Sequence, residues 1–162
     1  MVPLQKIKNL VSELENISIG YSEINIISPE ELVLRQTGYS IDPNRNTLIT
    51  GCAGDWQEGW FVIATDGLGD PFFVDRSDEK LPVFTAPHGE ATWEAVQIAD
   101  GITEFKSMLA ELKSLAFNRG FPSAIEANSI TPVEISGFLR NAEKNNPNSD
   151  ILYWETFLTE CS

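Results

Sequence analysis

His88 is the only histidine in the 162 residues, and its isolation limits acid–base and metal schemes at once. A zinc site would need Cys or carboxylate ligands around it, and Cys52 is the only cysteine near it in sequence. A Cys52–His88 dyad would pair a nucleophile with a base. Yet Cys52 has no neighbour in sequence that would lower its pKa. Cys52 and Cys161 match no metal or redox spacing, so two ordinary reduced thiols are expected. The chain has no GxSxG, and Gly51-Cys52-Ala53-Gly54-Asp55 is not a phosphate cradle, because no Gly-Lys-Ser/Thr or GxGxxG accompanies it. Asp66-Gly67-Leu68-Gly69-Asp70 holds two acids but lacks the distal Glu of a calcium loop. Turn-forming Asp with glycines at special backbone angles is the simpler reading. Paired carboxylates for glycosidic chemistry would suit the acidity but need a cleft. The expectation is no catalytic residue, no metal and no cofactor.

The acids point to binding instead. Between Asp55 and Asp100 stand ten acids against two bases, Arg76 and Lys80, which is eight of the chain's net −13 charges. Asp is favoured in turns for local reasons, so a merely solvated surface would use it too. The sharper reading is an acidic face built from the sheet's loops and aimed at a basic protein. Its candidate residues are Asp66, Asp70, Asp75, Asp78, Glu79, His88 and Glu90. Tryptophans are more often core than site, and Trp60 opens a wholly apolar run that belongs inside. Trp56 and Trp93 sit beside polar and acidic neighbours and are the candidates for exposed anchors. The same net charge argues against nucleic acid or an anionic membrane surface as ligand, since both are held largely by Lys and Arg.

The elements that must position these residues are short. Apolar runs Trp60–Ala64, Pro71–Val74, Val83–Ala86 and Thr92–Ala99 are separated by turn-rich segments and read as an antiparallel meander. A small hairpin, Gly38–Ile41 with Asn46–Ile49, is expected around Asp42-Pro43-Asn44-Arg45. The sheet is thus placed at about residues 38–99. Glu23–Ile27 alternates too briefly to assign. Leu4, Ile7, Val11 and Leu14 share one face of an N-terminal helix. Ser28-Pro29-Glu30-Glu31 carries helix-start signals, with the helix ending near Thr37-Gly38.

After the meander, Asp100 is expected to cap a long helix bearing Ile102, Phe105, Leu109, Leu112 and Ala116 and closing at Arg119-Gly120. Phe121–Ile130 shows no clear period. Thr131-Pro132-Val133-Glu134 is a capping box ahead of Ile135, Phe138, Leu139 and Ala142. Asp150 or Ser149 opens a last helix with Ile151, Trp154, Leu158 and Cys161 on one side. Helices at both ends and strands in the middle predict an α+β fold.

The chain is the length of one domain, and a hydrophobic fraction of 42% argues for a folded globule. No repeat or linker divides it, so one domain over residues 1–162 is expected. No apolar stretch approaches the ~20 residues that span a bilayer. The N-terminus has no unbroken apolar run after Lys6 and Lys8, so it is not read as a secretory signal, and the cytoplasm is the expected location.

The run GDPFFVD, then PVFTAPHGE, then a Trp and IAD ahead of a helix, resembles the SUKH superfamily over about Glu30–Leu112. That superfamily holds fungal cell-wall-synthesis regulators of the Smi/Knr type and bacterial immunity proteins. The resemblance implies a mainly antiparallel sheet packed by helices, and a binding module with no catalytic role. It implies first an immunity protein that binds and neutralises a toxin domain, such as a nuclease. A regulatory scaffold without a toxin is the second reading. A small hydrolase or sugar-binding protein using the acidic loops is the third.

Overall fold

Six short runs rich in β-branched and aromatic residues pair in chain order in the computed structural model, which describes residues 1–161. They are β1 (Ile17–Ile19), β2 (Ser22–Ile26), β3 (Trp60–Asp66), β4 (Pro71–Asp75), β5 (Val83–Thr85) and β6 (Val96–Ala99). Every neighbouring pair is antiparallel, so the sheet is a continuous meander. Around it stand α1 (Leu4–Val11), α2 (Ile102–Leu115), α3 (Pro122–Ala127), α4 (Pro132–Asn145) and α5 (Ile151–Glu160). The fold is α+β, with helices at both ends of the chain.

The central strands are apolar on both faces. Phe61 to Ala64 and Phe72 to Val74 are all buried, which requires a cover on each side. On one side Phe72 meets Phe105 of α2 at 6.0 Å and Tyr153 of α5 at 6.3 Å. On the other, Phe73 packs against Trp56 at 4.8 Å and Trp60 at 4.7 Å. That second cover is the long excursion between β2 and β3.

The excursion corrects two expectations. Ser28–Gly38 is not a helix but a run of turns ending in a 3-10 turn at Leu34–Gln36. Only Leu32 and Gln36 are buried there, while Val33 and Leu34 face solvent, so no apolar stripe drives helix propagation. Gln36 is pinned to β3: its carboxamide donates to Leu32 O and Val62 O and accepts from Val62 N. The side chain bonds both backbone groups of Val62, as the peptide of a strand residue would. The expected 38–49 hairpin is reduced to isolated bridges, Thr37 with Ile41 and Ile41 with Thr47. The Asp42 carboxylate accepts from Asn46 N and Nδ2 at 2.8 and 2.9 Å, and with the backbone bonds Asp42 N to Asn46 O and Leu48 N to Ser40 O it closes that loop without a continuous ladder. The sheet therefore runs from Ile17 to Ala99 with an interruption at 27–59, not from about 38 to 99. Its last strand begins at Val96, because Trp93 N is diverted to Gly54 O at 2.7 Å.

The helical layer follows the sequence more closely. Thr131 and Glu134 form the reciprocal capping box of α4, and Asp150 caps α5 by accepting from Leu152 N. Asp100 does not cap α2. Gly101 holds that position without a side-chain bond. The Asp100 carboxylate instead accepts from Asn148 Nδ2 and Ser149 Oγ, both at 2.8 Å, because the α4–α5 turn brings these donors against the end of β6. Each sheet edge receives a backbone bond from a different one of the helix connections that follow the sheet. Gly20 N bonds Arg119 O beside β1, and Asp150 N bonds Gln97 O on β6. Among the described residues no helix is long and apolar enough to cross a membrane.

Candidate functional site

Meander topology decides which acids can act together. The β3–β4 turn and the β5–β6 loop lie at one end of the sheet, and the β4–β5 turn at the other. Asp66, Asp70, His88 and Glu90 belong to the first end. Asp75, Asp78 and Glu79 belong to the second. The five residues of β4 hold the two ends about 14 Å apart. At the second end the acids serve their own turn: Asp75 accepts from Ser77 N at 2.8 Å, and Asp78 from Lys80 N at 2.8 Å.

Trp56 is not an exposed anchor. It is 2% exposed, and its indole N–H donates to Trp60 O at 3.2 Å. Trp93 lies edge-on to it at 5.1 Å, and Tyr39 at 5.1 Å completes the cover. The apolar face of the sheet outcompetes the polar neighbours Gln57 and Glu58 in placing this ring. Trp93 is half-buried on the same cluster, and Trp60, expected inside, is only half-buried.

At the first end the turn is built by its own carboxylate. Asp66 Oδ1 accepts from the backbone N–H groups of Leu68, Gly69 and Asp70 at 2.9, 2.7 and 2.8 Å. Gly69, at φ 100°, takes a conformation that a side chain would strain. Asp70 Oδ1 then accepts from His88 N at 2.7 Å, and His88 Nδ1 lies 2.6 Å from the same oxygen. This ties the β5–β6 loop to the β3–β4 turn. His88 positions a loop here.

Two further elements complete a groove of about 520 Å³ at this end. The β1–β2 hairpin brings Tyr21 and Glu23, because Ile24 pairs with Asp66 across β2 and β3. Helix α5 brings Tyr153, Phe157 and Glu160. Phe157 is buried and Tyr153 half-buried, so the floor is aromatic. Glu23, Asp66, Asp70 and Glu160 line the walls, and no Lys, Arg or His does. The negative field is felt inside the protein. Burial, and then the charges of Asp66, Asp70 and Glu160, push the Tyr153 phenol well above its ordinary range. Burial, then Asp70 and Asp66, raise the Tyr39 phenol on the opposite face.

Of the nine expected residues, Asp66 and Asp70 line this groove, and His88 joins it through Asp70. Glu90 is exposed in the adjoining loop. The sequence reading missed Tyr21, Glu23, Tyr153 and Glu160. Tyr153 and Glu160 stand seven apart on one helical face, a spacing overshadowed by the apolar series beside it. Among the described residues no group of three or more His, Cys, Asp or Glu side chains is arranged to hold a metal ion. No family model matches the chain, and no curated protein or solved structure matches it.

Proposed function

We propose that this chain is a non-catalytic protein-binding module that neutralises a basic toxin domain, the role its SUKH-like sequence implies, with the cytoplasm as its place of action. The observation that carries the reading is the groove at one end of the sheet: four carboxylates around an aromatic floor, with no base among the lining residues. In a chain of net charge −13, that end steers positively charged surfaces from a distance. Aromatic rings then supply contact area and cation–π attraction for a Lys or Arg side chain. A nucleic-acid-binding cleft is rich in such side chains, so covering it would block the toxin.

The groove's size favours a second reading. About 520 Å³ is within the range of small-molecule sites, so an organic cation or a sugar is the alternative ligand.

The test uses the chain as bait in a lysate of the cell that makes it, at low and high salt, beside two triple variants. Glu23→Gln/Asp70→Asn/Glu160→Gln alters the groove. Asp75→Asn/Asp78→Asn/Glu79→Gln removes equal charge at the far end. A basic protein held at low salt by the wild type and the far-end variant, and lost by the groove variant, supports the proposal. A partner held equally by all three sinks the groove as the binding site. No protein at either salt refutes the protein-binding reading and turns the search to small ligands.

A further inference from the structure

The groove beside α5 holds more hydrogen-bond acceptors than its own fold uses. Asp66 spends Oδ1 on the N–H groups of its turn, Asp70 spends Oδ1 on His88, and Oδ2 of each is left without a donor among the described residues. No Lys or Arg there pairs with Glu23, Asp66, Asp70 or Glu160. The Tyr153 hydroxyl lies deep enough for burial to be the main cause of its raised pKa, yet it bonds no described residue and is not sealed from solvent. It opens on the groove that its ring lines.

These features select a class of ligand. A sugar would bury the carboxylates without neutralising them, which is costly. A single ammonium group would neutralise one of the four. A metal ion would need them to converge, and among the described residues no group of three or more His, Cys, Asp or Glu side chains is so arranged. The positive charge must therefore be spread along the ligand. Tyr153 and Glu160 stand about two turns apart on α5, roughly 10 Å of helix. Asp66 and Asp70 act on the Tyr153 phenol more strongly than Glu160 does, so they mark one end of the groove and Glu160 the other.

We infer that this groove binds a linear polyamine, with one nitrogen held by Asp66, Asp70 and the Tyr153 hydroxyl and another, about 10 Å away, by Glu160. The methylenes between them lie on the Tyr153 and Phe157 rings, which also attract the cations. Leu68, 83% exposed at the tip of the β3–β4 turn, extends the apolar contact at the rim. The inference rests on the groove being a binding site, as the protein-binding reading does, but it needs no partner protein. Either can fail alone.

Isothermal titration calorimetry on the purified full chain tests it, with spermidine, 1,4-diaminobutane and 1,8-diaminooctane as probes. Spermidine should bind saturably, one per chain. The longer diamine should bind at least about tenfold more tightly than the shorter, because only it reaches both ends, and Glu160→Gln should erase that difference. Tyr153→Phe keeps the ring and should weaken spermidine about tenfold. The far-end variant Asp75→Asn/Asp78→Asn/Glu79→Gln should bind as the wild type does. No saturable binding of spermidine overturns the inference. So does equal affinity for the two diamines, a chain-length preference that survives Glu160→Gln, or a Tyr153→Phe that binds like the wild type. Equal weakening by Glu160→Gln and the far-end variant would report only the net charge of −13 and overturns it too.

Discussion

Replacing Glu134 by Gln should cost stability at neutral pH and nothing in strong acid. Arg119 is 9% exposed in its side chain and grips three elements. Its guanidinium donates to Leu115 O at the end of α2, to Asn128 O after α3, and to both carboxylate oxygens of Glu134 at 2.9 and 3.1 Å. The Arg119 hydrogen bonds, and then those from Thr131, lower the Glu134 carboxyl from 4.5 to about 2. A tenfold change in acidity is about 1.36 kcal/mol, so the ceiling is about 3.4 kcal/mol. Glu134 is about one-third exposed, and solvent screening reduces this to about 1–2 kcal/mol. The folded-state pKa is depressed. The contribution is therefore present above the unfolded value of 4.5 and lost as pH falls toward 2. Urea unfolding followed by near-UV circular dichroism, at several pH values across this window, gives the gap between wild type and Glu134→Gln. The gap should be full at pH 7 and close as the pH approaches 2. A gap constant with pH would refute the charge argument, and no gap at pH 7 would refute the role of the pair.

Gln36→Ala should destabilise by about 2–4 kcal/mol, because it strands the N–H and C=O of Val62 that the carboxamide serves, measurable as a lower urea midpoint. Cys161 is buried and its thiol is pushed up to about 11, chiefly by desolvation, while Cys52 is exposed. Ellman's reagent should therefore titrate one thiol in the native protein, none in native Cys52→Ser, and two in the unfolded chain; two fast thiols in the native state would contradict the fold of α5. Gly20→Ala should destabilise by more than about 2 kcal/mol in thermal unfolding, since Gly20 sits at φ 56° and an added Cβ would collide with the Cys161 carbonyl oxygen.

Much of the fold is legible in local pattern. The apolar runs of β3 to β5, the 3.6-residue stripes of α1, α2, α4 and α5, and the Thr131–Glu134 box each announce themselves within a dozen residues. Several misses are long-range. Gln36 breaks its own segment's helical signal to serve Val62, 26 positions away. Asp100 looks like a cap until Asn148 and Ser149 arrive from 48 and 49 positions off. Glu23–Ile27 alternates too briefly to read as a strand, and only its pairing with β3 on one side and with Ile17–Ile19 on the other places it in the sheet. The acidic site was half legible for the same reason. Asp66 and Asp70 stand in an evident turn, while Glu23 and Glu160 reach the groove only through sheet register and the docking of α5. Grouping acids by sequence also merged two turns that β4 keeps apart.

The association rate of the captured basic partner with wild type, the groove variant and the far-end variant, measured by stopped flow across a salt series, tests the central claim most directly. Both triple variants remove three charges, so a difference between them reports where the field acts. The groove variant should associate at least about tenfold more slowly at low salt and show a flattened salt dependence, while the far-end variant stays within about threefold of wild type. Equal slowing by both variants, or none by either, would contradict steering by the Glu23–Asp66–Asp70–Glu160 groove.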